Sequence, residues 1–203
     1  MKTGGIILCG GRSTRMGTSK ALLAFGPETM LQRVLRLLST VVSPIVVVAA
    51  AGQPLPVLPP GVIVTHDEQE GRGPLEGLRA GLKALPETVE SAYVTSCDVP
   101  LLVPDFVRTL IGLLSDHDVA VMEIGGFPHP LSAVYRRSTL PQVEALLAEG
   151  QLRAGLLFDA VRTRRVQAAE MEAADPHLLT LRNLNTPEDY REALSIASEA
   201  NQL

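Results

Sequence analysis

The stretch "GGIILCGGRSTRMGTSKALL", residues 4–23, runs an aliphatic segment straight into two adjacent glycines, two arginines, a third glycine and a lysine. Its first part, "GIILC" (5–9), is short, apolar and unalternating, as a strand buried on both faces of a sheet should be. The turn that follows fits neither familiar glycine signature. A Walker A loop needs G-x-x-x-x-G-K-[ST], whereas five residues separate Gly11 from Gly17, and Thr18 and Ser19 intervene before Lys20. The dinucleotide fingerprint G-x-G-x-x-G fails because Gly10 and Gly11 are adjacent. What remains is a backbone that can approach an anion closely at Gly10 and Gly11, with Arg12, Arg15 and Lys20 supplying cations. A polyphosphate is the natural guest of such a loop, and a solvated basic turn is the plain alternative.

Working outward, apolar runs alternate with segments of helical period. "MLQRVLRLLSTV" (30–41) places Met30, Leu31, Val34, Leu35, Leu38 and Val41 on one helical face. "IVVVAA" (45–50) reads as a strand, "GQPLPVLPPG" (52–61) as a connection, and "VIVTHD" (62–67) as a short strand. A helix is expected over 73–85, with Pro74 tolerated in its first turn, then a strand over 91–98 and a helix over 103–114. Beyond 117 come two strand-like pieces around Gly125-Gly126, helices over 139–149 and 152–161, and a strand at 164–168. A strand, a turn and a helix from Pro187 are expected over 181–200. This order predicts an α/β fold: a Rossmann-like, doubly wound, mostly parallel sheet with helices on both faces, in one domain over 1–203. Ligands of such sheets bind beyond the carboxyl ends of the strands.

Composition narrows the function. The 46% hydrophobic and 3% aromatic residues mean an aliphatic core, and a net charge of −4 argues against a general nucleic-acid or polybasic membrane binder. No run of about 18 apolar residues and no leader-like segment is present, so a soluble, cytoplasmic protein is expected. Cys9 and Cys97 are the only cysteines, too few for a disulfide framework, and are expected to be reduced.

Three further motifs fall at expected strand ends. In "VTSCDVPLL" (94–102), Asp98 closes a buried strand as either a helix cap or a hard oxygen ligand of the kind Mg²⁺ takes alongside substrate phosphates. In "HDEQEGRGPLEGL" (66–78), Asp67 ends a strand before a glycine-flanked helix start that could receive an anion on its free N–H groups. In "NLNTPEDY" (183–190), Thr186, Pro187 and the two acids are explained as a helix start, leaving Asn183 and Asn185 to face one side of an extended segment.

With these motifs in order, the chain resembles the nucleotidyltransferases carrying L-A-G-G-x-S-x-R-M-G-x-x-K, and most closely the molybdenum cofactor guanylyltransferases. The resemblance implies the nucleotide-diphospho-sugar transferase-like fold and Mg²⁺-dependent transfer of GMP from GTP to molybdopterin, with pyrophosphate released. It implies that Leu8, Cys9, Gly10, Gly11, Arg12, Arg15, Lys20, Asp67 and Asp98 bind the nucleotide, and that Arg15, Lys20 and Asp98 are catalytic. It further implies Asp98 and Asn185 as metal ligands, and His129, Arg153, Asn183 and Asn185 on the acceptor side. The nucleotide part would lie within about 1–117 and the acceptor part within about 118–203, with transient contacts to molybdenum cofactor biosynthesis proteins or apo-molybdoenzymes. Cys9 and Ser19 depart from the family's alanine and aspartate, and Ala49 to Ala51 stand where it often places an asparagine near the nucleotide. Kindred readings are a cytidylyltransferase for the same pterin or another small-molecule nucleotidyltransferase. A dinucleotide-binding oxidoreductase and a silent nucleotide-binding module are the readings from other classes.

Overall fold

The computed structural model describes residues 2–10, 19–69 and 71–199. In chain order its elements are β1 (Thr3–Leu8), β2 (Ala24–Phe25), β3 (Glu28–Thr29), α1 (Met30–Ser39), β4 (Ile45–Ala49), β5 (Ile63–His66), α2 (Pro74–Ala84) and β6 (Ser91–Ser96). Then follow α3 (Pro104–Leu113), β7 (Val119–Ile124), β8 (Phe127–Arg136), α4 (Leu140–Ala148), α5 (Gly155–Ala160), β9 (Thr163–Gln167) and α6 (Pro187–Glu199). Seven strands form one sheet in the order β5-β4-β1-β6-β8-β7-β9, while β2 and β3 pair as a separate antiparallel hairpin. Within the seven, only β8 runs against its neighbours.

The winding follows from which side chains each strand offers. Along β1, Ile6 and Leu8 project into one core and Ile7 and Cys9 into the other, the alternation any strand imposes. Helices α1 and α3 cover the Ile7 face through Leu31, Val34, Leu35, Phe106 and Leu110. Helices α2, α4 and α5 cover the opposite face through Leu75, Leu82, Val143, Leu147 and Leu157. Helix α1 begins where the Thr29 hydroxyl accepts from the Gln32 backbone N–H (3.3 Å) and the Gln32 side chain accepts from the Thr29 N–H (2.9 Å). Helix α6 packs on a third cluster with Phe25, Met30, Leu101 and Leu184.

Helix α2 lies unusually close to β1. A Cβ built on Gly81 would stand 2.6 Å from Ile6 Cγ2, and one on Gly77 3.0 Å from Leu8 Cδ1. Glycines four apart leave a smooth stripe on the helix that lets its backbone settle on the strand.

One expectation needs amendment. The strand expected from 181 does not form: Leu179–Leu181 is a 3₁₀ turn, and the segment after it has no strand ladder. Its backbone finds one strand-like partner, the Asp98 carbonyl, which accepts from the Leu184 N–H (2.9 Å), and one bond makes no ladder. The pieces around Gly125-Gly126 form the β7–β8 hairpin, with φ of 58° and 82° at the two glycines, as a two-residue loop requires. Strand β8 then runs ten residues through Pro128 and Pro130, which its bulge explains. Val121 pairs with Ala133 but Met122 with His129, and β6 pairs only with Ala133–Arg136. The prolines therefore sit where no N–H is needed on the β6 side.

Candidate active site

After β5 the chain crosses back by α2 to place β6 on the far side of β1, so the order reverses between β1 and β6. A crevice opens at such a switch point, beyond the carboxyl ends of the strands. The Cys9 N–H still bonds the Val48 carbonyl (2.8 Å) and the Cys97 N–H the Leu8 carbonyl (3.1 Å), so the sheet stays ordered up to the rim. There a cavity of about 470 Å³ is lined by Leu8, Cys9, Gly10, Ser19, Lys20, Asp67, Ser96, Cys97, Asp98 and Asn183, with Gly71, Gly73 and Pro74 from the start of α2 and Leu131 from the β8 bulge.

Lys20 opens a 3₁₀ turn, and its ammonium donates to Asp98 Oδ2 (2.8 Å) and to Asn185 Oδ1 (2.8 Å). Residues 78 and 165 positions away thus meet at one nitrogen. Asp98 is held firmly: its carbonyl accepts from Leu184, and its other carboxylate oxygen accepts a short bond from the Ser96 hydroxyl. Asn185 is fixed from behind, because Asp189 Oδ2 accepts from the backbone N–H of Asn185 (3.0 Å) and Thr186 (2.9 Å). Those two bonds hold the Asp189 carboxyl below the usual carboxylate range. The extended 182–186 segment keeps the alternation expected of it, with Leu184 buried and both asparagines turned to the site.

Asp67 follows β5 and reaches the same rim. A Cβ on Gly10 would lie 3.2 Å from Asp67 Oδ2, so the glycine makes room for the carboxylate. The loop after Asp67 is folded by buried Glu76, which accepts from the backbone N–H of Glu68 (3.2 Å) and Gln69 (3.3 Å) and from Arg79 (2.6 Å). The Cys9 thiol is pushed well above its ordinary range by its hydrogen bond to Cys97, with burial adding to it, so it stays protonated at neutral pH. Both cysteines are free.

Of the residues expected to bind substrate, Leu8, Cys9, Gly10, Lys20, Asp67, Asp98 and Asn183 line one cavity, and Asn185 joins them through Lys20. Gly11, Arg12 and Arg15 lie outside the described residues. His129 sits half-buried on β8 and is not among the residues lining the cavity, with burial pushing its imidazole pKa down. Arg153 is exposed before α5, its carbonyl accepting from the Leu156 N–H (3.1 Å). Three residues of consequence carry no distinctive signal in the sequence: Ser96 on Asp98, Glu76 under Glu68 and Gln69, and Gln53. The Gln53 side chain reaches the Cys9 carbonyl (3.0 Å) and the Ser19 hydroxyl (3.1 Å). Its signal was faint: a lone amide in the Pro/Gly-rich stretch following a strand that neighbours β1.

A reversed-order α/β sheet with a lysine, an aspartate and an asparagine converging at its crevice is joined by relatives and a family model that make the protein a nucleotidyltransferase. The chain belongs to the MobA-like NTP transferase domain family, which matches residues 5–165. A molybdenum cofactor guanylyltransferase of Desulfosudis oleivorans is 35% identical over 191 residues, spanning 93% of each chain. A probable molybdenum cofactor guanylyltransferase of Carboxydothermus hydrogenoformans is 34% identical over 195 residues and 95% of each chain. Among solved structures, a molybdopterin-guanine dinucleotide biosynthesis protein A of Archaeoglobus fulgidus superposes with a TM-score of 0.79 at 22% identity, covering 98% of this chain and all of the other. A 4-diphosphocytidyl-2C-methyl-D-erythritol synthase of Anaerococcus prevotii superposes with a TM-score of 0.67 at 13% identity. These last two likenesses are of fold. No helix among the described residues is long and apolar enough to cross a membrane.

Proposed function

We propose that this enzyme transfers GMP from GTP to molybdopterin in the cytoplasm, giving the guanine dinucleotide cofactor and pyrophosphate. The observation that carries the reading is the convergence of Lys20, Asp98 and Asn185 beside the Cys9–Gly10 backbone, in a chain about a third identical to guanylyltransferases over nearly its whole length. A phosphate oxygen of the pterin attacks the α-phosphorus; an oxygen–phosphorus bond forms there as the bond to the β-phosphate oxygen breaks. The attacking oxygen is already ionised at neutral pH, so no general base is needed, and a protonated Cys9 offers no nucleophile. Catalysis then rests on positioning and charge neutralisation. The Cys9 and Gly10 backbone receives the triphosphate, while Lys20 and Arg15 neutralise the leaving pyrophosphate. Asn183 and the 118–203 half, with His129 and Arg153, would serve the acceptor.

Asp98 Oδ2 and Asn185 Oδ1 both lie 2.8 Å from one ammonium nitrogen, so they converge on a point cation. Such a pair of hard oxygens suits Mg²⁺, which takes one or two carboxylates and completes its shell with phosphates and water. Asp98 and Asn185 would hold the ion in place of the Lys20 ammonium, which would then be free for the leaving pyrophosphate, and the ion would supply charge neutralisation at the α-phosphate. The deciding experiment is pyrophosphate release with molybdopterin as acceptor, comparing GTP, CTP and ATP with and without Mg²⁺. Turnover selective for GTP and dependent on Mg²⁺ is expected. A preference for CTP, or turnover indifferent to chelation, would overturn the reading.

A further inference from the structure

We propose that Gln53 is a positioning residue that fastens both ends of the phosphate loop, an inference that rests on the nucleotide-transfer reading. The loop leaves β1 at Cys9 and returns at Ser19, immediately before Lys20. These two ends are joined by one side chain from a different strand connection. Gln53 Nε2 donates one hydrogen to the Cys9 carbonyl (3.0 Å) and the other to the Ser19 hydroxyl (3.1 Å). Its Oε1 accepts from the Ala50 N–H (3.0 Å), and the Gln53 N–H in turn bonds the Ala50 carbonyl (3.1 Å). The bond from the Ala50 N–H fixes which way the amide points. Both donors are therefore committed to the loop.

The chemistry of the two partners supports a deliberate anchor. Ser19 stands at the N-cap of the 3₁₀ turn carrying Lys20, yet its hydroxyl caps no backbone N–H and is spent on Gln53. Cys9 is engaged through its carbonyl, so the identity of its side chain is immaterial to this contact. An aspartate at position 19 would offer Gln53 an acceptor too, so neither departure from the family's loop weakens the fastening. Ala49 to Ala51 carry no polar side chain, and among the described residues it is Gln53 of this connection whose side chain bonds Cys9 and Ser19. Holding the Cys9 carbonyl and the Ser19 hydroxyl on one side chain presents the Cys9–Gly10 backbone and Lys20 already placed when the nucleotide arrives. The anchor touches the loop and not the reacting atoms, so it acts on nucleotide affinity.

The test uses Gln53→Met, which keeps the volume and removes every side-chain donor, together with Gln53→Ala and Ser19→Ala. Losing both loop bonds is expected to weaken Mg²⁺·GTP binding about tenfold, with KM for GTP rising in step and kcat held within about twofold. Ser19→Ala loses one bond and shows a smaller effect, which disappears when Gln53 is already Met. Amide exchange reports the anchor without nucleotide: the N–H groups of Leu22 and Leu23, bonded to the Ser19 and Lys20 carbonyls, exchange faster in Gln53→Met. Unchanged exchange refutes the anchor. Faster exchange with unaltered GTP affinity refutes its bearing on nucleotide binding. A wild-type protein that binds none of GTP, CTP and ATP would overturn the nucleotide-transfer reading, while the exchange measurement still judges the anchor.

Discussion

The close seating of α2 on β1 gives the sharpest quantitative test of this structure, because two glycine-to-alanine changes should move stability in opposite directions. At Gly81, a new Cβ would stand 2.6, 2.9 and 3.1 Å from three side-chain atoms of Ile6. Ile6 is fully buried in the sheet that everything else packs on, and its branched side chain is stiff at χ1. It has no alternative position to take, so the cost belongs at the upper end of overpacking, about 3 kcal/mol. Alanine returns about 1 kcal/mol in helix propensity, leaving a net loss of about 2 kcal/mol. For a chain of this size that corresponds to a melting temperature lower by about 4–8 °C. At Gly112, near the end of α3, nothing lies within 4 Å of the new atom, so Gly112→Ala keeps the propensity gain of up to about 1 kcal/mol. Urea titrations of both variants, fitted with a common slope, give the two differences directly. A Gly81→Ala protein as stable as wild type would refute the seating of α2 on β1, and with it the placement of Gly73 and Pro74 at the cavity rim.

Three further outcomes follow from the site and its supports. Lys20→Ala and Asp98→Ala should each cut turnover by at least ~10²-fold while the cooperative unfolding transition survives, measured by pyrophosphate release and thermal melting; near-normal activity in either would remove these residues from catalysis. Glu76→Ala strands two backbone N–H groups, while Arg79 keeps its ion pair with Glu68 (2.8 Å), so it should cost about 1–3 kcal/mol and raise KM for nucleotide through the segment after Asp67; a variant unaltered in both would show that segment to be held otherwise. Arg162 holds the Asp118 carboxyl below the usual carboxylate range, its side chain and N–H bonding the carboxylate where β7 and β9 begin. A depressed folded-state pKa means this contribution is present above the ordinary value near 4 and is lost as pH falls through the folded one. Asp118→Asn should therefore flatten the decline of stability below about pH 4 relative to wild type, and an unchanged acid limb would refute the pairing.

How much of this was legible in the sequence depended on the range over which each residue finds its partners. The alternation of apolar runs and helical periods encodes local burial, and it located the α/β elements because each strand and helix buries its own face. What it missed needed partners far along the chain. Arg33 sits within the helical run 30–41 as an ordinary charge, yet it is fully buried, stacked 4.8 Å above Phe25 and donating to the Pro100 carbonyl (2.6 Å). Nothing near position 33 announces a carbonyl 67 residues away. The same holds for the strand expected from 181, whose backbone finds one strand-like partner, the carbonyl of Asp98.

The residues of the candidate site were legible for a different reason. Asp67, Asp98 and the asparagines each follow an element end and Lys20 opens a 3₁₀ turn, and in a sheet whose order reverses at β1 and β6 the topology delivers the strand ends to one crevice. A charged residue at such a position can be recognised by its own chemistry. Ser96, Glu76 and Gln53 could not, because each acts through another residue: a hydroxyl on Asp98, a carboxylate under a loop, an amide joining Cys9 to Ser19. A serine, a glutamate or a glutamine is common anywhere, and its meaning lies wholly in the partner. The groups that line the cavity are thus set by position in the fold, and the groups that hold them in place are set by contacts across the sheet, which only the three-dimensional structure supplies.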